Sequence, residues 1–285
     1  MDIGIGLPNP IPGTKGGDLI EWARRAEGHG FSTLATIDRI VYPSYESLIA
    51  LAGAAAVTTR VELLTNVLLG PTRNPVMLAK EAASVDALSG GRLTLGVGVG
   101  GREDDFAAVG LDFHTRGRRW HADLEVLQAI WRGEPVAGTQ RAIGPAPVRP
   151  EGIPLVIGGM SEEAVTRTVR FGVGWAAGGG PIERAAPQIA RVREAWQAAG
   201  RAGTPRIYAL AYFALGPDTE RGAAFIHDYY GGPYAAYIAQ ALIRTPEAAR
   251  AALDRYAAAG VTTLVFDPTI ADPAQVDLLA EAVLK

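Results

Sequence analysis

The chain has 285 residues, of which 48% are hydrophobic, a formal net charge of −3 and no cysteine. A chain of this length and apolar content can bury the core of one large α/β domain. The small negative charge argues against a nucleic-acid-binding protein, because such proteins depend on cationic contacts to phosphates. The absence of cysteine excludes disulfides, thiolate metal sites and a cysteine nucleophile.

Nothing in the sequence predicts a targeting or membrane segment. The N-terminus, Met1-Asp2-Ile3-Gly4, has no basic region followed by a long apolar run, so no signal peptide is expected. No window reaches about 18 uninterrupted apolar residues, the length of a membrane-spanning helix. These patterns predict a cytoplasmic protein with no membrane and no nucleic-acid partner.

Strand and helix patterns alternate along the chain. Apolar runs predict strands at 2–7, 32–37, 61–69, 92–98, 154–157, 173–177, 206–214 and 261–266. Helical periodicity predicts helices at 18–28, 46–58, 76–88, 162–170, 182–199, 245–258 and 273–284, and places Trp120, Leu124, Leu127 and Trp131 on one face of a further helix. The stretches 133–152 and 217–244 are interpreted as loop insertions.

Eight strands, each followed by a helix, predict a single (β/α)₈ TIM barrel over residues 1–285, an α/β fold with loop insertions. An open doubly wound sheet is the alternative. It is disfavoured because eight units exceed its usual number and no dinucleotide fingerprint follows the first strand.

In such a barrel, ligands bind where the strands run out into loops, and the unusual residues of this sequence lie there. Asp38 and Arg39 follow the second strand, and Asn66 lies in the third. Glycine-rich exits follow three later strands, with Gly96, Gly98, Gly100 and Gly101, then Gly158 and Gly159, then Gly178, Gly179 and Gly180. They predict a rim free of side chains, suited to a large flat ligand whose phosphate meets backbone N–H groups and the helix after Ser161. Alternatively, the glycines only permit tight turns.

Several polar residues keep two interpretations. Asn66 is a satisfied core amide or a donor to the edge of a bound ring. His114 is a candidate acid–base group or a solvated loop histidine. Arg116, Arg118 and Arg119 form a solvated face or part of an anion clamp. No histidine shows metal-ligand spacing, so no metal site is predicted.

The 217–244 insertion is rich in tyrosine, with Tyr229, Tyr230 and Tyr234 close together. Aromatic side chains on a loop at a barrel mouth are typical of a lid over an apolar substrate. The alternative is a tyrosine cluster that packs the insertion onto the barrel.

The segments Leu68-Leu69-Gly70-Pro71-Thr72-Arg73-Asn74-Pro75, 89–98 and Ile157-Gly158-Gly159 resemble the bacterial luciferase-like superfamily. The resemblance covers nearly the whole chain. It implies a (β/α)₈ barrel that binds FMN or the deazaflavin coenzyme F420 at the carboxyl-terminal face. It also implies that Asn66-Val67 is a non-prolyl cis peptide supporting the central ring of the cofactor.

Further site residues follow from the same resemblance. The cofactor and its phosphate would be lined by Gly98, Val99, Gly100, Gly101, Arg102, Gly158, Gly159, Met160, Ser161, Gly178, Gly179 and Gly180. Asp38 matches an aspartate that many deazaflavin members place near the pyrimidine edge. Arg39 stands where those members usually have histidine, and Gly101 where sugar-phosphate dehydrogenases have a glutamate acid.

The resemblance therefore favours an FMN-dependent oxidoreductase of the monooxygenase type, with Asp38, Arg39 and His114 as candidate catalytic residues. The carboxylates of Glu103, Asp104 and Asp105 beside Arg102 would repel the acidic tail of F420, yet F420-dependent hydride transfer remains the alternative. Two other classes of function stay open: a cofactor-free hydrolase or lyase that uses Asp38 with His114, and a binding protein without catalysis. A small-molecule substrate, a separate flavin reductase and a homodimer are the expected partners.

Overall fold

The computed structural model describes all 285 residues and shows a closed barrel of parallel strands. The strands are β1 (Asp2–Gly6), β2 (Thr33–Thr36), β3 (Glu62–Thr65), β4 (Leu68–Leu69), β5 (Leu93–Gly98), β6 (Leu155–Gly158), β7 (Gly174–Ala176), β8 (Arg206–Phe213) and β9 (Thr263–Pro268). β1 pairs with both β2 and β9, and β3 pairs with β5, so the sheet has no free edge. The predicted barrel is confirmed.

The predicted third strand, 61–69, is not continuous. It is split into β3 and β4 by Asn66 and Val67, and β4 pairs only with β5. The nine strands therefore occupy the eight positions of the barrel, because β3 and β4 share one.

Helices surround the barrel. They are α1 (Gly16–His29), α2 (Ser47–Ala55), α3 (Pro75–Ser89), α4 (Glu103–Ala108), α5 (Arg116–Trp131), α6 (Glu162–Phe171), α7 (Ala186–Ala198), α8 (Thr219–Tyr230), α9 (Gly232–Gln240), α10 (Pro246–Ala258) and α11 (Ala274–Val283). None of them combines the length and the apolarity needed to cross a bilayer.

Two helical regions were not predicted. α4 is short, and the glycines that precede it hide the helical pattern of its sequence. Glu103, Asp104 and Asp105 in its first turn nevertheless complement the positive end of the helix dipole. The 217–244 insertion is largely helical, since α8 and α9 are separated only by Gly231 with a φ of 65°. The 133–152 stretch contains no helix or strand, as predicted.

The lumen of the barrel is filled by side chains from six strands. Ala35, Leu64, Val156, Ala176, Tyr208 and Val265 form one buried cluster. A separate cluster of 57 buried residues packs the outer faces of the strands against the helices. Because side chains alternate along a strand, the residues two positions further on face the same lumen, nearer the carboxyl-terminal mouth.

Close strand packing requires glycine at Gly96. A β-carbon there would lie 2.0 Å from the carbonyl oxygen of Thr65 on the neighbouring strand. This contact holds β5 tightly against β3 at the point where the third strand is interrupted.

We expect Gly96→Ala to lower the free energy of unfolding by about 2 kcal/mol or more, because the methyl group forces a backbone shift in a packed interior. The matched control is Gly28→Ala in α1, where an added β-carbon meets nothing within 4 Å. That control should gain about 0.5–1 kcal/mol from reduced backbone freedom. Urea unfolding of both variants measures the difference, and equal stabilities would contradict the packing described.

Candidate active site

At the carboxyl-terminal mouth, the lumen-facing residues form a layer, called here the mouth layer. It contains glycine, which has no side chain, and polar groups without hydrogen-bond partners. Asn66 and Asp267 lie two residues beyond the lumen-facing Leu64 and Val265. Asn66 is 7% exposed and its Nδ2 has no partner, and Asp267 is 1% exposed with neither carboxylate oxygen paired. Gly178 lies two residues beyond the lumen-facing Ala176; it is exposed, and a β-carbon there would meet nothing within 4 Å. Since buried polar groups are normally hydrogen-bonded, this layer has the character of a ligand site.

The Asn66-Val67 peptide bond is cis, as the resemblance implied. The Val67 side chain lies across two neighbouring strands. A β-carbon at Gly98 would come within 2.8 Å of Val67 Cγ2, and one at Gly158 within 3.1 Å. These two glycines therefore make room for Val67, which forms part of the mouth surface in their place.

Asp38 is buried and fully engaged inside the protein. Its two carboxylate oxygens accept from the Arg73 guanidinium at 2.8 and 3.2 Å, from the Leu69 backbone N–H at 2.9 Å and from the Ser47 hydroxyl at 3.2 Å. Arg73 also pairs with Glu46. In this arrangement Asp38 anchors the end of β2 to β4 and α2, and its participation in catalysis stays a prediction.

Arg39 and Arg102 converge on one carbonyl. Both guanidiniums donate to the backbone oxygen of Tyr229, at 2.7 and 3.0 Å, in the last turn of α8. Arg39 also lies over the ring of Tyr42, and Arg102 over the rings of Tyr229 and Tyr230. Cations at a helix C-terminus complement its dipole, so the two arginines fix the end of α8 to the barrel mouth.

The acidic residues of α4 do not form an open anionic surface. Asp105 is buried and accepts from the backbone N–H groups of Ile40 and Val41 at 2.9 and 2.8 Å. Asp104 pairs with Arg39 at 3.4 Å. Only Glu103 of the three is exposed without a partner, so the expected repulsion of an acidic ligand tail is mostly lost.

Beside the mouth lies a cavity of about 730 Å³ between the starts of α5 and α6. Its lining includes Val99, His114, Arg116, Arg118, Ser161 and Arg167. Ser161 caps α6, because its hydroxyl accepts from the Ala164 N–H. Arg118 has no hydrogen bond or ion pair, whereas Arg119 bonds to Thr115 and to loop carbonyls. Arg118 is therefore free to bind an anion, whereas Arg116, which donates to the carbonyl oxygens of Gly100 and Phe113, and Arg119 serve the local structure.

The remaining rim glycines have different surroundings. Gly100 and Gly159 have φ values of 73° and 126°, in the left-handed region that favours glycine. Their carbonyl oxygens accept from Arg116 Nε and Trp175 Nε1. Gly101 and Met160 are exposed at the rim.

Gly179 and Gly180 face tyrosines. A β-carbon at Gly179 would lie 2.9 Å from the Tyr212 ring, and one at Gly180 would lie 3.3 Å from that of Tyr237. The carbonyl oxygens of the two glycines accept from Tyr234 and Tyr256 respectively. Their missing side chains make room for rings of the protein itself.

The tyrosine insertion is packed onto the barrel. Tyr229 is buried, and its hydroxyl donates to the carbonyl oxygen of Asp38 at 3.3 Å. The hydroxyls of Tyr212 and Tyr230 are 2.7 Å apart, and Tyr42 donates to Asp228. Burial raises the pKa of Tyr212, Tyr229 and Tyr230, so all three phenols are neutral at physiological pH. α8 and α9 thus pack over the mouth as its roof, and their role as a substrate lid stays a prediction.

His114 and Asp38, the pair needed by a cofactor-free mechanism, are not brought together. His114 is exposed and its ring packs edge-on against Phe113. The hydrogen bonds of the Asp38 carboxylate all go to other residues. The residue that sequence reasoning missed is Asp267. Its signal was a lone carboxylate in the otherwise apolar run of the last strand.

A family model described as luciferase-like monooxygenase matches residues 1–276. Monooxygenase RslO1 from Streptomyces bottropensis superposes with a TM-score of 0.82 at 24% identity, covering 100% of this chain and 99% of that one. An F420-dependent secondary alcohol dehydrogenase in complex with an F420-acetone adduct gives 0.81 at 16% identity, over 99% and 98%. The oxygenating constituent of 3,6-diketocamphane monooxygenase from Pseudomonas putida, in complex with FMN, gives 0.77 at 16% identity, over 98% and 96%. At these identities the structural likenesses establish the fold.

We expect Arg73→Leu to destabilise the protein by about 3–5 kcal/mol, because it leaves the buried Asp38 carboxylate without its counter-ion. The side chains of this pair are 12% and 2% exposed. The control is Arg132→Leu, which breaks a surface pair with Glu134 and should cost about 1 kcal/mol or less. Chemical unfolding of the two variants makes the comparison, and similar losses would rule out the anchoring role of Asp38.

Proposed function

Because the chain belongs to the luciferase-like monooxygenase family, we propose that it is an oxidoreductase that uses reduced FMN to oxygenate a small organic substrate. The observation that carries the proposal is the mouth layer, which combines the unpaired Asn66 amide and its neighbour Val67 with the open face of Gly178. When bound, reduced FMN supplies the electrons for oxygen activation. The protein binds and orients the cofactor and the substrate, and it excludes water from the site.

The residues present fit a flavin. The Val67 side chain offers an apolar support for a flat ring, and Asn66 Nδ2 can donate to a carbonyl of its pyrimidine edge. The 730 Å³ cavity adjoins this layer through Val99. There the N-terminus of α6 and the free guanidinium of Arg118 suit a phosphate.

The distribution of free cations supports FMN over F420. A long acidic tail requires several unpaired cations along its path. Arg73 and Arg102 are already committed to Asp38 and to the Tyr229 carbonyl, and Lys80 donates to the carbonyl of Gly144. Arg118 is left without a partner, and this one free guanidinium matches one phosphate. F420-dependent hydride transfer is the second candidate, favoured by the burial of Asp105 and by the pairing of Asp104 with Arg39.

We propose two kinds of protein partner. A flavin reductase must supply reduced FMN. A second copy of this chain is proposed to cover α2 and α3, where Ile49, Met77 and Leu88 are 70%, 51% and 72% exposed. Large apolar side chains in one patch are typical of interfaces.

Titration of the protein with reduced FMN and with reduced F420 at matched salt tests the cofactor. We expect the tighter binding with FMN, followed by oxygen consumption in the presence of a flavin reductase. F420 binding tighter by tenfold or more, about 1.4 kcal/mol, would replace oxygenation by hydride transfer as the mechanism. Absence of affinity for both would refute the flavoenzyme proposal.

We expect Gly100→Val and Gly159→Val each to abolish FMN binding while circular dichroism still reports a folded barrel. Both positions need left-handed backbone, and a branched side chain displaces the turn that faces the cofactor. Gly138→Val is the matched control, with a φ of 85° and open space around it, in the 133–152 stretch. Undiminished affinity in both rim variants would place the cofactor elsewhere.

A further inference from the structure

Asp267 lies at the mouth, where the neighbouring strands leave space for its side chain. It pairs in register with Tyr212 across β8 and β9, so the two side chains face the same side of the sheet. A β-carbon at Gly6, on the other neighbouring strand, would lie 1.8 Å from Asp267 Oδ1. The carboxyl group therefore fills the space that Gly6 leaves, and it still contacts no hydrogen-bond donor.

An unpaired buried carboxyl group costs stability, so a purely structural role does not account for it. Desolvation by burial raises the pKa of Asp267 well above its ordinary value, which favours the neutral, protonated acid. A neutral carboxylic acid carries an O–H that can donate a hydrogen bond to a ligand.

The neighbouring phenols add a second donor. Tyr212 and Tyr230 carry two hydroxyl hydrogens and share one hydrogen bond, so one hydrogen is left to donate. The surrounding cluster is apolar and aromatic, with Ile37, Leu210 and Tyr229 among its members. The guanidinium of Arg102 lies over the Tyr230 ring, which disfavours a cationic ligand.

We propose that Asp267 and the Tyr212–Tyr230 pair form the substrate subsite, which binds the carbonyl oxygen of an uncharged aromatic ketone beneath α8 and α9. The donors match a carbonyl acceptor, and the aromatic lining matches a ring. This assignment rests on the proposed function for its place beside the cofactor, and it defines the substrate class of that function.

Calorimetric binding of three probes, with and without FMN, tests the subsite. The probes are 4-hydroxyacetophenone, 4-ethylphenol, which lacks the carbonyl oxygen, and tyramine, which carries an ammonium. We expect the wild-type protein to bind the ketone at least tenfold more tightly than 4-ethylphenol. Asp267→Leu should remove this preference, and Asp267→Asn should retain part of it, because its amide still donates.

Stability supplies an independent readout. Asp105 is as buried as Asp267 but accepts two backbone hydrogen bonds. Asp105→Leu should lower the thermal midpoint, whereas Asp267→Leu should leave it unchanged or raise it. Equal losses in the two variants would assign Asp267 a structural role and overturn the proposal.

The other outcomes are equally decisive. A wild-type protein without the ketone preference, a preference that survives in Asp267→Leu, or tighter binding of tyramine overturns the subsite. FMN affinity, measured separately, should be unchanged in Asp267→Leu. Failure of the wild-type protein to bind either FMN or F420 refutes the flavoenzyme proposal, while the ketone preference of the cofactor-free protein still tests Asp267.

Discussion

The arrangement of the barrel mouth depends on the buried pair of Asp38 and Arg73. The Asp38 carboxylate joins the end of β2 to the backbone of β4 and to the first turn of α2. The main-chain oxygen of Asp38 accepts from the hydroxyl of Tyr229 in α8. A buried ion pair of this kind is strongly destabilising once one partner is lost. The interruption of the third strand, the roof helix and the second strand are therefore held in one mutual geometry.

A second constraint is the contrast between the two levels of the lumen. Deeper in the barrel, Leu64, Tyr208 and Val265 fill the space with side chains. At the mouth the same strands present Asn66, Tyr212 and Asp267, with Gly178 opposite open space. Stability resides in the filled level, while the mouth retains polar groups whose hydrogen bonds a ligand can complete.

The sequence predicted the barrel because alternating apolar runs and helical periodicity are local properties. It also led to Asn66-Val67, because the flanking segments resemble a known superfamily. It could not show that Arg39 and Tyr229 meet, since 190 positions separate them. Nor could it distinguish Gly98, which accommodates Val67, from Gly179, which accommodates Tyr212, or from Gly178, which faces open space. Asp267 was missed for the same reason: an unpaired carboxylate is defined by the neighbours that the fold supplies.

The acceptor that fixes the end of α8 is a main-chain oxygen. The attachment of this helix therefore does not depend on which side chain that residue carries. Arg39 and Arg102 bind the carbonyl of residue 229, which every amino acid provides. Side chains along the roof can therefore be exchanged without loss of these two bonds. Such a framework lets the side chains that roof the barrel mouth change while the attachment of the helix persists, a form of evolvability built into the main chain.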